Sequence, residues 1–178
     1  MTDEESEAGP TTHQKLLAAG MRYLTAAEVL FRSTNGREAR LVSVPILHLT
    51  AHGIEVLLKG NLVGEGLDPY ELKKGYGHDI AKLWAHESNR RLRGDAETAA
   101  RGAWQRAEAS RRFIDGFSED PVTILAEYIS DLSALHSKES DFALRYVAEP
   151  GARGPRPRLL IDTFLPVADR YLYETMAH

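Results

Sequence analysis

The chain of 178 residues contains no cysteine. That absence excludes disulfide stapling, thiolate catalysis and cysteine-ligated zinc. Nor is there an apolar run near the roughly 20 residues that a membrane-spanning helix needs. No segment alternates polar and apolar residues for long enough to define a strand, and no stretch repeats. Charge of neither sign dominates: 22 Lys and Arg against 26 Asp and Glu leave a net charge of −4, so no global field marks a nucleic-acid binder. The opening MTDEESEAGP is acidic and has no apolar centre, which does not fit a secretory signal. The expectation is a soluble, cytoplasmic protein without a membrane segment. What the chain does have is apolar content: a hydrophobic fraction of 43% in a length that suits one domain is enough to build a core.

The organising stretch runs from Pro45 to Leu83. In its first half Ile46, Leu47, Leu49, Ala51, Ile54, Val56, Leu57, Leu58, Leu62 and Val63 cover most of a helix's circumference. A helix apolar nearly all round belongs in the middle of a bundle. One line of it differs. His48, His52, Glu55 and Lys59 follow at i, i+4, i+7 and i+11, a narrow polar stripe at helical spacing. A Gly-rich turn and Gly77-His78-Asp79 come next, with Asp79 placed to cap the following helix.

The rest of the chain reads as further helices. Residues 1–11 are expected to be a disordered acidic tail, and residues 12–178 a single domain. A first helix is expected from Thr12, as cap, to about Arg32, and the central one from about Arg40 to Val63. Asp68-Pro69 starts a short helical turn. A third helix is expected over 78–93, with Gly94-Asp95 separating it from a fourth over 96–117. Ser118-Glu119-Asp120-Pro121 opens a fifth, whose apolar face is Val122, Leu125, Tyr128, Ile129, Leu132 and Leu135. Residues 140–146 suggest a short helix and 148–158, AEPGARGPRPR, a loop. A last helix over 163–176 has Thr163 as cap. The expected architecture is all-α, an up-and-down bundle of five to six helices.

These residues also carry a resemblance. A Glu followed four residues later by Lys in an apolar helix, then a loop and a Gly-His-Asp opening to the next helix, is similar to the central helix pair of HEPN domains (higher eukaryotes and prokaryotes nucleotide-binding). Here the matching residues are Glu55, Lys59 and Gly77-His78-Asp79. A weaker echo is Ala143-Leu144-Arg145-Tyr146, similar to an Arg-Tyr-Pro element near the end of many members, with Val147 in place of that Pro. The resemblance implies a HEPN-like bundle acting in binding or regulation. Its groove would be lined by His52, Glu55, Lys59, His78, Asp79, Arg145 and Tyr146. It also implies a homodimer or a nucleotidyltransferase-type partner, a nucleotide or RNA as ligand, and a link to toxin–antitoxin or defence systems. Tyr171, Leu172 and Tyr173 near the C-terminus are the candidate partner face.

Many HEPN proteins are ribonucleases with an Arg, four to six residues, then a His. None of the seven His here has an Arg five to seven positions before it; Arg40 precedes His48 by eight, and Arg170 precedes His178 by eight. The expectation is therefore a non-catalytic module. The alternatives are a ribonuclease with a rearranged site, using His78 or His52 with Arg145, or a metal-dependent bundle enzyme using His48 and His52. Two His one turn apart is a helical metal-binding geometry. These two lack an unambiguous third ligand, so no metal and no cofactor are assigned.

Each constellation has a bland counterpart. The Glu55–Lys59–His78 set reads as an architectural network, because a buried Glu must find partners. Arg145, suited to bidentate phosphate contact, reads equally as an ion-pair partner of Glu139 or Asp141. The clusters Arg90-Arg91-Arg93, Arg111-Arg112 and Arg153-Arg156-Arg158 read as solvated faces, and hold RNA only if they converge in space.

Overall fold

The structure, a computed structural model, describes residues 9–34, 38, 41–110, 119–137, 144 and 154–177. Among these residues it is all-α, with seven α-helices, one 3-10 turn and no strand. In chain order they are α1 (Thr12–Ser33), α2 (Ser43–Gly64), α3 (Pro69–Tyr76), α4 (Ile80–Ala85), the 3-10 turn Glu87–Asn89, α5 (Arg90–Ala109), α6 (Pro121–His136) and α7 (Pro157–Met176). None of the described helices is long and apolar enough to cross a membrane. The expected tail over 1–11 lies outside the described residues up to position 8, as does the short helix over 140–146 except at Leu144.

Helix α2 is the axis of the bundle. Ala51, Ile54, Leu57, Leu58 and Leu62 have no exposed surface. Each buried Leu or Ile contributes roughly 1.5–3 kcal/mol of apolar transfer. Helix α1 lies along α2, α7 packs on α1 and α5, and α6 closes against α4 and α5. The α1–α2 crossing is close because glycines face each other. A Cβ on Gly20 would stand 3.1 Å from the Gly53 carbonyl oxygen and 3.1 Å from the Leu57 backbone nitrogen. Any side chain there would drive the two backbones apart.

Helix starts follow the capping chemistry of the sequence. Thr11, one residue before the expected Thr12, caps α1 in a reciprocal box with Gln14. Asp68 caps α3 and Asp120 caps α6, each with Pro at the first helical position. Pro45 falls in the first turn of α2, where its missing N–H is harmless.

Two expected boundaries are corrected. The third helix does not run from 78 to 93 and stop at Gly94-Asp95; it breaks at His86, and α5 passes through Gly94 and Asp95. The break is held by side chains. His86 Nδ1 accepts from the Ser88 amide. Fully buried Asn89 donates to the Leu83 carbonyl and accepts from Asn61 of α2. Gly94 meets nothing within 4 Å of where a Cβ would stand, so it is an ordinary interior glycine that α5 tolerates. The last helix starts at Pro157 rather than Thr163, taking the final two residues of the expected loop. Arg158 pairs with Asp162 at 2.6 Å across that first turn, and Thr163 is buried inside the helix. Pro166 therefore sits in a helix interior, where it removes one backbone hydrogen bond.

Candidate functional site

The polar stripe of α2 meets the α3–α4 turn and the end of α6. Its hub is Glu55, whose side chain is 3% exposed. Lys59 Nζ, one turn on, donates to Glu55 Oε1 at 2.6 Å. The same ammonium donates to the Gly77 carbonyl at 2.5 Å. Gly77 has φ +51°, a conformation an L side chain resists. So Lys59 ties the turn to the carboxylate, and that turn delivers His78. His78 Nδ1 lies 3.1 Å from both Glu55 oxygens, which is the contact the sequence led us to expect.

Asp79 does not join the carboxylate. Its Oδ1 accepts from the Lys82 amide and caps α4, as its position suggested. Ser133 of α6 donates to that same Asp79 oxygen at 3.1 Å and accepts from the Ala81 amide at 3.0 Å. The start of α4 is thus pinned to α6, which fixes the His78 backbone from the other side.

The largest omission of the sequence reading is His136, the last residue of α6. It has no exposed surface, and its Nε2 lies 2.8 Å from Glu55 Oε2. The signal was present. The buried positions 125, 129 and 132 step by four and three, and the next step of four lands on 136. Extending the apolar face by one turn would have placed a histidine where the helix is buried.

His52 and His48 complete the ring of imidazoles. His52 Nδ1 stands 3.6 Å from Glu55 Oε2, beyond hydrogen-bond length. Tyr23 of α1 packs against the His52 ring at 4.4 Å, edge to face. The His48 and His52 rings lie parallel with centroids 6.3 Å apart, and His48 is 5.8 Å from His136. Exposure grades across the cluster: His78 is 40% exposed and His52 28%, while His136 is sealed.

Burial alone would push the Glu55 carboxyl up. His136, His52 and Lys59 outweigh it and hold the group far below the usual carboxylate range. Glu55 is therefore an anion in the core. An ionised carboxylate only accepts, so the facing ring nitrogens must carry the protons: Nε2–H on His136 and Nδ1–H on His78. A carboxylate holding two imidazole N–H groups and an ammonium fixes their orientation and can balance a positive charge arriving on either ring.

Of the expected groove, the structure brings together His52, Glu55, Lys59 and His78, and sets Asp79 beside them as a cap. Arg145 and Tyr146 lie outside the described residues. Among the arginine clusters, Arg91 pairs with Glu174, and Arg158 with Asp162 and Glu28. These are acid-paired sites on separate helices; Arg111, Arg112 and Arg153 lie outside the described residues. The expected C-terminal face is also corrected. Tyr171 points inward and donates to Asp95 at 3.0 Å, whereas Tyr173 is exposed. The two cannot line one apolar surface because helical spacing puts them on different sides.

Compared with family models, with curated proteins and with solved structures, the chain matches none.

Proposed function

We propose that this chain is a HEPN-like helical module that binds a nucleotide or an RNA phosphate at the His52–His78 edge of the Glu55 cluster, in a regulatory role such as toxin–antitoxin or defence systems use. The observation that supports this reading is one juxtaposition. The Glu55–Lys59 pair of an apolar helix meets the Gly77-His78-Asp79 turn, through 2.6 Å and 3.1 Å contacts to one carboxylate. A buried ion pair adds little stability beyond what well-packed apolar residues would supply. Its position beside two half-exposed imidazoles is a reason for the chain to keep it. In this proposal His78 and His52 face the ligand, Lys59 and Glu55 position them, and Arg145 supplies a phosphate contact. The module acts as a homodimer or with a nucleotidyltransferase-type partner, and the exposed Val29, Tyr173 and Met176 are apolar surface that a partner would cover.

One observation favours an enzyme as the second reading. Glu55 on His78 Nδ1 is the carboxylate–imidazole arrangement that readies a ring for proton transfer. That reading is a ribonuclease with a rearranged site, His78 with Arg145. A single experiment separates the two. Labelled single-stranded RNA and free nucleotides are assayed for binding and for cleavage with the parent, His78→Ala and Arg145→Ala. The binding reading expects intact RNA and an affinity reduced about tenfold or more by each change. Robust cleavage abolished by either change would convert the module into an enzyme. Binding indifferent to both changes would remove this site from the account.

A further inference from the structure

A ring nitrogen of His52, a carboxylate oxygen of Glu55 and a ring nitrogen of His136 all lie within 4.8 Å of one another. They come from two helices packed in the core, so their spacing is set by the bundle. Two further observations point to a ligand. The Nδ1 atom of His52, the ring nitrogen that faces Glu55, is buried and has no hydrogen-bond partner. Buried polar atoms without partners are few in folded proteins and call for an explanation. The Nδ1 of His52 is also 3.6 Å from Glu55 Oε2. That is too long for a hydrogen bond. It matches the edge of a tetrahedron of ligands at about 2.1 Å from an ion, which is about 3.4 Å.

We propose that His52, Glu55 and His136 form a binding site for one divalent first-row transition-metal ion, with zinc as the reference case. The carboxylate is already divided for this task. Lys59 takes Oε1 at 2.6 Å, Oε2 faces His136 at 2.8 Å and His52 at 3.6 Å, and His78 Nδ1 stands 3.1 Å from both oxygens. Oε2 is thus the metal-binding oxygen, and Lys59 orients the carboxylate from behind, the kind of outer contact that fixes metal ligands. Two imidazoles and one carboxylate suit zinc, iron(II) or cobalt(II); magnesium and calcium favour all-oxygen sets.

Binding is then a tautomer exchange: the hydrogen bond from His136 Nε2–H to Oε2 gives way to coordination, the single ring proton moves to Nδ1, and the freed Nε2 lone pair and an Oε2 lone pair go to the ion, with the ring neutral throughout. Three protein ligands leave at least one coordination position for water or an anionic oxygen. The sequence assigned no metal because His48 and His52 lacked a third ligand. The fold supplies His136 and demotes His48, whose ring stacks beside His52 with centroids 6.3 Å apart. The inference goes beyond the nucleotide reading and stands whether or not the module binds RNA.

The test uses the full chain, stripped with a chelator and titrated with cobalt(II), then with zinc. The expected result is one cobalt per chain with a visible d–d spectrum of low-coordinate cobalt, and its displacement by one zinc. His52 is half-exposed, so His52→Ala should fold; it is expected to lose about a hundredfold in affinity. Glu55→Gln should lose the spectrum as well, and His86→Ala, a residue outside the site, should bind as the parent does. No cobalt spectrum, substoichiometric binding, or a spectrum indifferent to both His52→Ala and Glu55→Gln would overturn the proposal. RNA binding is measured separately, so failure of one reading leaves the other standing.

Discussion

Replacing Glu55 by Gln keeps the shape of the side chain and removes the charge on which the cluster depends. In the parent the carboxylate accepts from Lys59, His78 and His136 at 2.6, 3.1 and 2.8 Å. Gln retains one oxygen, but its amide nitrogen is a donor turned toward groups that also donate. Lys59 is 16% exposed and would keep its charge without a counterion. Removing one partner of a buried pair costs about 3–5 kcal/mol. For a chain of this length that corresponds to a fall in Tm of roughly 10 °C, at about 2–4 °C per kcal/mol. The pH dependence gives a second signature. Glu55 is depressed from an ordinary value of 4.5, so its stabilisation is present above pH 4.5 and is lost as pH falls toward the folded-state value. Below pH 4.5 the unfolded chain takes up a proton that the folded chain refuses. The parent then loses up to about 1.4 kcal/mol per pH unit from this one group. Glu55→Gln lacks that loss. The difference between the two proteins should therefore be largest near neutrality and narrow by about 1.4 kcal/mol on reaching pH 3.5. Urea unfolding followed by circular dichroism in chelator-containing buffer, at pH 7 and at pH steps down to 3.5, measures both. A stability gap under about 0.5 kcal/mol at pH 7, or one that does not change with acidification, would refute the buried-anion argument.

Three further outcomes are expected. Gly20→Ala should destabilise by about 1–3 kcal/mol in spite of its better helix propensity, since the added Cβ meets backbone of α2 at 3.1 Å; the same urea measurement checks it. Gly94→Ala, with open space around it in α5, should instead stabilise by roughly 0.5–1 kcal/mol. Burial and the hydrogen bond to Asp95 both push the Tyr171 phenol up, so one of the seven tyrosines should ionise well after the others in an alkaline ultraviolet titration. Tyr171→Phe should remove that late step and cost about 1 kcal/mol. Its stabilisation is complete below the ordinary tyrosine value of 10.0 and is lost above it, so the parent's advantage over Tyr171→Phe should shrink in strong alkali.

Legibility in the sequence followed the physics. The central helix was readable because ten apolar residues around one circumference leave no choice but burial. The Asp68-Pro69 and Asp120-Pro121 starts were readable because capping and proline geometry are local. The helix boundaries that went wrong turned on partners far along the chain. Asn89 breaks the helix after Ala85 through Asn61, 28 positions away, and Gly94 looked like a stop only because nothing local showed its surroundings to be open. Pro157 was hidden by neighbouring Pro and Gly that suggested a continuous loop. In the site, the α2 stripe and the Glu55–His78 contact were legible from spacing and from the following turn. The contribution of His136 needed tertiary structure: 81 positions separate it from Glu55, and only the register of α6 hinted that it would be buried.

The central claim is that one ionised carboxylate organises imidazoles from α2, the α3–α4 turn and α6. The most direct measurement is a nitrogen-15 NMR spectrum of the histidine rings, metal-free, in the parent and in Glu55→Gln. The account predicts Nδ1–H on His78 and Nε2–H on His136 in the parent. In the variant the ring signals of His52, His78 and His136 should move together, while His13 and His86 stay in place. Ring signals of those three histidines that are unchanged by Glu55→Gln, or a His136 ring without a proton on Nε2, would contradict it.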